Sequence, residues 1–562
     1  MPLSEDIGRF LLFYLGRAFR IRIDRQIARF VRLCDDPEAV QTALLQKILR
    51  KQTATAFGRD HHFGEIRTAS EYRRNVPVGP YERLQPYIDR VAAGETNALL
   101  ANGPVRLLAL TSGTTAARKL IPVTDDSLAA YRLAWNMWGG KMYPDNRAKQ
   151  LFARPIVQLV GDPVEYVSPG GIPCGNMTGY TATIQSRIVR RMFAVPYQVG
   201  TVKDAESKYY AAVRLAIGRP CSVFFAANPS TLLQFGRTLE ANADSLLRDL
   251  HNGTLKADLD LSDDVRKACA SRLKANPKRS QELSKLAEKE GTLLPKHVWP
   301  PETILIGCWT GGSMGPYLRQ LPKYFGEPAI RDLGLLASEG RFTIPFENGT
   351  SSGALEILAN YYEFIPEAEI DSPRPTVLGA HELTLGGVYY ILLTTQAGLY
   401  RYHISDLVRV TGFLGRTPKV EFLSKGSRFA NLTGEKVSEH HVTRAFDAAS
   451  ATAGYHLHAA YSLAPVWDDR LPYYGLFVER IDAEPPAGFL DAFDRELGKN
   501  NIEYASKRES GRLGPIQIRP LTPGYWEQWD RNSIAARGGS PEQYKHPCLI
   551  GDLEFEKKAN AA

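Results

Sequence analysis

From about Val105 onward, short apolar runs alternate with stretches of helical periodicity, and this alternation narrows the fold more than any other feature of the chain. Val105–Leu110, Ser222–Ala226, Thr303–Gly307, Gly387–Thr394 and Leu407–Phe413 read as strands. The spacing predicts helices over 126–139, 203–217, 229–250, 262–275 and 279–290. Strand and helix taken in turn are the signature of α/β architecture. At 562 residues the chain has length for two to four units and buries a large core without staples. It contains no internal repeat and no low-complexity tract.

The pattern restarts near 424–428. The strand Val420–Leu423 runs into Lys425-Gly426-Ser427-Arg428, and new strand and helix patterns follow at Val442–Ala451, His456–Leu463, Tyr473–Val478 and Pro486–Leu497. The expectation is a large domain over 1–424 and a smaller one over 425–562, with a boundary and hinge at 424–428. At the other end, residues 7–53 read as helical. Phe10, Leu11, Tyr14, Leu15, Phe19 and Ile21 are interleaved with Arg17, Arg20, Arg22 and Arg25. Such a basic amphipathic face packs on its own domain more often than on an anionic membrane. The helix from Pro37 to Lys51 reads as core cover.

Composition excludes several classes. The formal charge, 69 − 61 = +8, is a mild excess that favours anionic ligands and argues for no nucleic acid partner. Six separated cysteines without a Cys-x-x-Cys pair argue against a disulfide framework or a structural zinc site, so reduced thiols and a cytoplasmic location are expected. No stretch reaches the roughly 18 apolar residues that span a bilayer.

Chemistry concentrates in a few places. Leu110 to Pro122 takes an apolar strand into a turn of Thr111, Ser112, Gly113, Thr114 and Thr115, followed by Arg118, Lys119 and Pro122. Convergent backbone N–H groups and hydroxyls with no bulky side chain suit a polyphosphate, and Lys119 adds a compact cation. An ordinary strand-to-helix turn is the alternative. The spacing is not that of a Walker loop. Ile306 to Ser313 opens a strand into a glycine turn, with Gly312 and Ser313, beside Trp309. There Trp309 either walls a pocket or is an ordinary core tryptophan. In Leu335 to Arg341 an apolar strand ends in Ser338 and Glu339, where a carboxylate is placed to hold Mg²⁺ on a nucleotide. Tyr361 to Pro366 is an aromatic strand, in the core or lining a nucleotide. In Gly398 to Phe413, Asp406 sits in an apolar run and needs a partner: a ribose diol, or Arg401 or Arg409. Lys545 follows Tyr544 near the C-terminus, where the flanking aromatic and proline would hold it in a fixed turn.

The Thr111–Pro122 loop, the Ser338-Glu339 pair and the Tyr400–Phe413 segment, in that order, resemble the three nucleotide-binding motifs of the acyl-acid amido synthetases, the auxin-responsive promoter protein family. That family belongs to the acyl-adenylate-forming superfamily. Phe57-Gly58-Arg59 with Tyr81–Ile88, Asn228-Pro229-Ser230, Trp309–Ser313 and Gln543-Tyr544-Lys545 are similar to its bacterial members, so the resemblance spans nearly the whole chain. It implies a large N-terminal α/β domain with a β-barrel-like part and a smaller, mobile α+β domain. It implies ATP and Mg²⁺ as cofactors, with a carboxylic acid and an amine, such as an amino acid, as substrates. Thr111 to Thr115 and Lys119 would grip the phosphates, Glu339 the metal and Ser338 the α-phosphate. Asp406 would bind the ribose, with Gly312, Ser313 and Lys425 around the nucleotide. Lys545 would stabilise adenylation. A monomer or weak dimer is expected.

Some positions depart from the family pattern. Leu336 replaces an aromatic, Ala117 a glycine of the loop, Ser405 the glycine before Asp406, and Cys548 an arginine. An acyl-CoA ligase and a non-catalytic nucleotide-binding homologue are the competing readings.

Overall fold

The computed structural model describes residues 20–101, 103–111, 118–141, 154–370, 372–426, 429–433, 435–468, 471–537 and 544–560. The chain divides into two compact units. The first is Met1–Trp309 with Lys323–Ile404 and Arg409–Glu421; the second gathers Thr310–Pro322, Ser405–Val408 and Phe422–Ala562.

In the first unit, Ile156–Gln158, Val223–Phe225, Leu305–Cys308 and Ala329–Asp332 form a four-stranded sheet in that order, every neighbour parallel. Parallel strands need crossovers, and helices supply them: Pro229–Ala241, Ala243–Asn252, Asp263–Ala270 and Pro277–Glu290 lie between the second and third strands. Phe224 and Ile306 at the strand centres are fully buried, as a sheet covered on both faces requires. The helix expected over 229–250 is two helices. Asn242 leaves helical geometry at φ −116°, and its side-chain amide and backbone N–H both donate to the Thr238 carbonyl. A short amide that competes for backbone acceptors is how asparagine ends a helix. The helix expected to reach 275 stops at Ala270.

A second sheet runs Lys119–Val123, Leu107–Thr111, Pro173–Gly175, Tyr166–Val167. A third has seven strands in the order Thr343–Ile344, Gly353–Leu355, Thr417–Lys425, Tyr402–Leu414, Val388–Thr395, Asn360–Pro366, Leu378–Gly379. The helix Pro37–Gln52, capped by the Asp36 carboxylate, lies on this sheet. Gln41 ties it there: its amide donates to the carbonyls of Ile357 and Asn360 at 2.8 and 2.9 Å and accepts from Tyr362 N at 2.8 Å. Tyr361–Pro366 is thus a core strand, with Tyr362 and Phe364 fully buried.

The described part of the basic amphipathic stretch is helical over 20–33. Ile23, Ile27 and Phe30, spaced i, i+4, i+7, are buried, and Ile23 and Ile27 close on Gly140. This face covers the unit's own core; Phe10 to Phe19 lie outside the described residues. No helix among the described residues is long and apolar enough to cross a membrane.

The second unit is built on Tyr461–Val466, Tyr473–Glu479 and Gln517–Leu521, the first pair antiparallel and the second parallel. The helices Glu439–Ala453 and Phe489–Asn500 pack with this sheet around Val442, Phe446, Leu463, Leu476 and Phe493. The Phe446 and Tyr461 rings stack at 3.9 Å. Leu549 bridges in parallel to Leu463, so the chain end adds a short edge to the sheet.

Candidate active site

Thr111 and Lys119 face each other as the last cross-strand pair of an antiparallel hairpin. The strands on either side of the predicted phosphate turn are therefore paired up to Thr111 and Lys119. The turn residues Ser112, Gly113, Thr114 and Thr115, with Ala117, lie outside the described residues. Arg118 forks onto Glu165 at 2.6 and 3.2 Å. Lys119 points elsewhere: its Nζ is 5.3 Å from the centre of the Tyr81 ring, 5.8 Å from that of Tyr402, and 3.5 Å from the Tyr402 hydroxyl. Two phenol faces hold a half-buried cation in place. Tyr81 is itself fixed, since its hydroxyl donates to the Leu120 carbonyl at 3.0 Å and accepts from Leu120 N at 2.8 Å. Burial pushes the Tyr81 phenol up, and the negative charges of Asp89 and Glu339 add to that, so it stays a neutral donor.

Ser338 and Glu339 form the two-residue turn between Leu336–Ala337 and Gly340–Arg341, with Ala337 opposite Gly340. The Ser338 hydroxyl donates to the Leu110 carbonyl at 3.4 Å. The turn is thereby tied to the strand that leads into the phosphate loop. Glu339 is buried and close enough to Tyr81 for its charge to act on that phenol. Thr111, Lys119, Ser338 and Glu339, remote in sequence, thus gather at one end of one hairpin. Trp309 is fixed rather than free: its indole donates to the Gly334 carbonyl at 3.2 Å and its backbone to Ala227. Gly334 has φ +83°, and a Cβ there would fall 2.5 Å from the Thr343 carbonyl.

Within the second unit, Asp406 is 4% exposed and pairs with Lys425, Nζ to Oδ1 2.8 Å. Neither arginine offered as its partner takes that role. Arg401 donates through Nε to Glu363 at 2.8 Å, and Arg409 through Nε to Glu421 at 2.7 Å. Arg409 lies three residues on from Asp406, an odd separation that turns it to the other face of the strand, and Arg401, at φ +46°, stands before the strand begins. Ser405 adopts φ +66° and accepts from Gly426 N at 2.7 Å. This left-handed conformation is the physical reason a glycine is the expected residue before Asp406, and serine holds it at a cost of roughly 1–2 kcal/mol. Gly312 has φ +64°, and a Cβ there would meet the Phe422 ring at 2.9 Å.

Lys545 lies with its Nζ 4.7 Å from the centre of the Phe422 ring. Its neighbours hold the segment. Tyr544 OH donates to Asp530 Oδ1 at 2.9 Å, and His546 Nδ1 is 2.7 Å from the same oxygen. His546 Nε2 is 3.2 Å from the Tyr461 carbonyl, and Pro547 O accepts from Ser462 Oγ at 2.6 Å. The fixed turn is therefore an Asp530 device as much as an aromatic-and-proline one. Cys548 is fully buried, its thiol pushed up by burial and by Glu439, and its N–H donates to Glu439 Oε1 at 2.8 Å. The position has become core.

Among the described residues no group of three or more His, Cys, Asp or Glu is placed to cage a metal. Buried Glu339 offers one carboxylate, so a magnesium ion there would need water or other oxygens for the rest of its ligands.

The model of the GH3 family N-terminal domain matches residues 26–330, that of the central domain 354–425 and that of the C-terminal domain 440–554. The chain belongs to the GH3 family. Its GH3 relatives include a probable indole-3-acetic acid-amido synthetase of Oryza sativa subsp. japonica, 27% identical over 95% of each chain. A jasmonoyl–L-amino acid synthetase of the same organism is 25% identical over 94% of each. The solved GH3.15 acyl acid amido synthetase in complex with 2,4-DB has the same fold, with a TM-score of 0.82 at 21% identity over 96% of each chain. The expected α/β fold, with a large N-terminal part and a smaller C-terminal one, holds for this GH3 chain.

Sequence reasoning missed Asp530, which anchors both neighbours of Lys545, and Tyr81, whose ring cradles Lys119. Tyr81 stood inside a quoted stretch, Tyr81–Ile88, and carried no signal of its role. Asp530 sits on the helix Tyr525–Arg537 with nothing local to distinguish it.

Proposed function

We propose that this GH3 chain is an ATP-dependent acyl acid amido synthetase: it converts a carboxylic acid to acyl-AMP and passes the acyl group to an amine, an amino acid in the reading the relatives' names support. The observation that carries the proposal is the gathering of Thr111, Lys119, Ser338 and Glu339 at one hairpin end in a chain that matches the GH3 domains along its length.

In the first half-reaction the acid's carboxylate oxygen bonds to the α-phosphorus of ATP and the bond to pyrophosphate breaks. Two anions meet, so charge must be neutralised where it develops. Lys119 would do so from its phenol cradle, together with Thr111 and the loop through Thr115. The Ser338 hydroxyl would orient the α-phosphate. A magnesium ion arriving with the nucleotide would supply further neutralisation, held on the protein by Glu339. Asp406, with Lys425, Gly312 and Ser313, is proposed to serve the ribose and the rest of the nucleotide. In the second half-reaction the amine nitrogen bonds to the acyl carbon, AMP leaves and the amine loses a proton.

Lys545 is proposed to act in the first half-reaction only, with a working division into 1–424 and 425–562 and a hinge at 424–428. All six cysteines are free and buried, which supports a reduced, cytoplasmic setting. The test separates the halves. Lys545→Ala should depress acid-dependent ATP–pyrophosphate exchange by a hundredfold or so, and amide formation from preformed acyl-AMP far less. Equal losses would remove Lys545 from its role, and CoA-dependent rather than amine-dependent AMP release would replace the amide reading with a thioester one.

A further inference from the structure

A cavity of about 340 Å³ opens in the first unit at the short helix Arg187–Met192, and none of the residues assigned above is in its lining. That volume falls within the range of small-molecule sites, about 300–1,000 Å³. Arg187, Arg190, Arg191 and Arg272 line it, and among the described residues no acidic one does. Among the described residues none of the four guanidinium groups forms an ion pair.

The arrangement is costly unless something answers it. Arg187, Arg190 and Arg191 fall at i, i+3 and i+4 of one helix, and like charges at that spacing repel. The helix dipole excuses Arg190 and Arg191, which stand in the last turn. It does not excuse Arg187, which opens the helix where a cation is disfavoured. Arg272 is held as part of the wall, donating to the carbonyls of Arg190, at 3.1 Å, and Phe193. The rest of the lining is largely apolar, with Phe193 and Tyr197 supplying ring faces and Val160, Val195 and Pro196 aliphatic ones. Gln185 Oε1, at the same cavity, is buried without a hydrogen-bond partner.

We infer that this cavity is a second small-molecule site, separate from the nucleotide's, for an organic anion that carries a phosphate or paired carboxylates on a compact aromatic or aliphatic body. Guanidinium forks bind such groups two hydrogen bonds at a time, which a lysine does not match. A donor on the ligand's body would satisfy Gln185. The site does not depend on the adenylation reading, because its test is direct binding.

Titration calorimetry at fixed ionic strength, with a saturating non-hydrolysable ATP analogue filling the nucleotide site, would use phenyl phosphate, phthalate and inorganic phosphate as probes. The expected result is one-to-one binding with an organic probe at least tenfold tighter than inorganic phosphate. Phenyl phosphate ahead of phthalate would mark a phosphate site, and the reverse a dicarboxylate site. Arg187→Gln/Arg191→Gln, both at exposed positions, should weaken binding at least tenfold and leave the thermal midpoint and the pyrophosphate exchange rate unchanged. Arg187→Lys/Arg191→Lys should recover only part of the affinity. No saturable binding, competition with the nucleotide analogue, or the same affinity in the glutamine variant would each overturn the inference.

Discussion

Replacing Arg401 by methionine tests whether the core of the first unit is held by a shared carboxylate. Glu363, whose side chain is 1% exposed, takes Arg401 Nε on one oxygen at 2.8 Å and Arg73 Nε on the other at 2.9 Å. Arg401 also donates to the carbonyls of Arg73 and Val76 at 3.1 and 2.8 Å, and so pins the chain after the helix Ala69–Asn75 to the start of the strand Tyr402–Leu414. Removing one partner of a buried pair costs about 3–5 kcal/mol, because the other charge stays buried. Arg73, more exposed, remains on Glu363, which places the expected loss near 3 kcal/mol; the two stranded carbonyls are part of it. Thermal unfolding followed by circular dichroism should show a midpoint several degrees lower. The double variant Arg401→Met/Glu363→Gln should cost less than the two single losses added, by at least about 1.5 kcal/mol. Additivity within about 0.5 kcal/mol, or a single-variant loss below about 1 kcal/mol, would refute the reasoning.

Three further outcomes are expected. Burial, with Arg444 adding to it, lowers His441 to about 4, while its Nδ1 accepts from Ser438 N. Between about pH 4 and 6.5 the unfolded chain binds the extra proton, so stability falls as pH drops through that window, by on the order of 3 kcal/mol in all. Urea midpoints measured at several pH values should show that slope in the native chain and lose it in His441→Gln. At Ser405, with φ +66°, glycine carries no left-handed penalty, so Ser405→Gly should stabilise by up to about 1 kcal/mol in urea melts once its own backbone entropy is counted, and Ser405→Val, β-branched and more strained than serine, should destabilise. Asp530→Ala frees both anchors of Lys545 and should lower pyrophosphate exchange about tenfold, with a smaller loss in amide formation from preformed acyl-AMP.

The fold was legible where a single period ran undisturbed. The parallel strands at Val223–Phe225 and Leu305–Cys308 and the helix Ala205–Ile217 fall within a residue or two of the spans read from hydrophobic spacing. It was less legible where one side chain redirected the backbone, as Asn242 does in the stretch read as one helix. The candidate site residues could be named because loops of hydroxyls and glycines, a carboxylate at a strand end and an isolated lysine each break the local pattern. Their partners could not. Lys425 is 19 residues from Asp406, Glu363 is 38 from Arg401, and Tyr81 is 38 from Lys119; nothing local to either member marks the other. Side-chain partners across strands are set by register, which short-range patterns do not carry.

The most direct test of the adenylation proposal is acid-dependent ATP–pyrophosphate exchange, screened with indolic, other aromatic and fatty carboxylic acids. Exchange should need both the acid and a divalent cation, fall at least a hundredfold in Glu339→Gln, and lead to amide when an amino acid is added. No exchange above background with any of the acids, or exchange as fast in Glu339→Gln as in the native chain, would contradict the proposal.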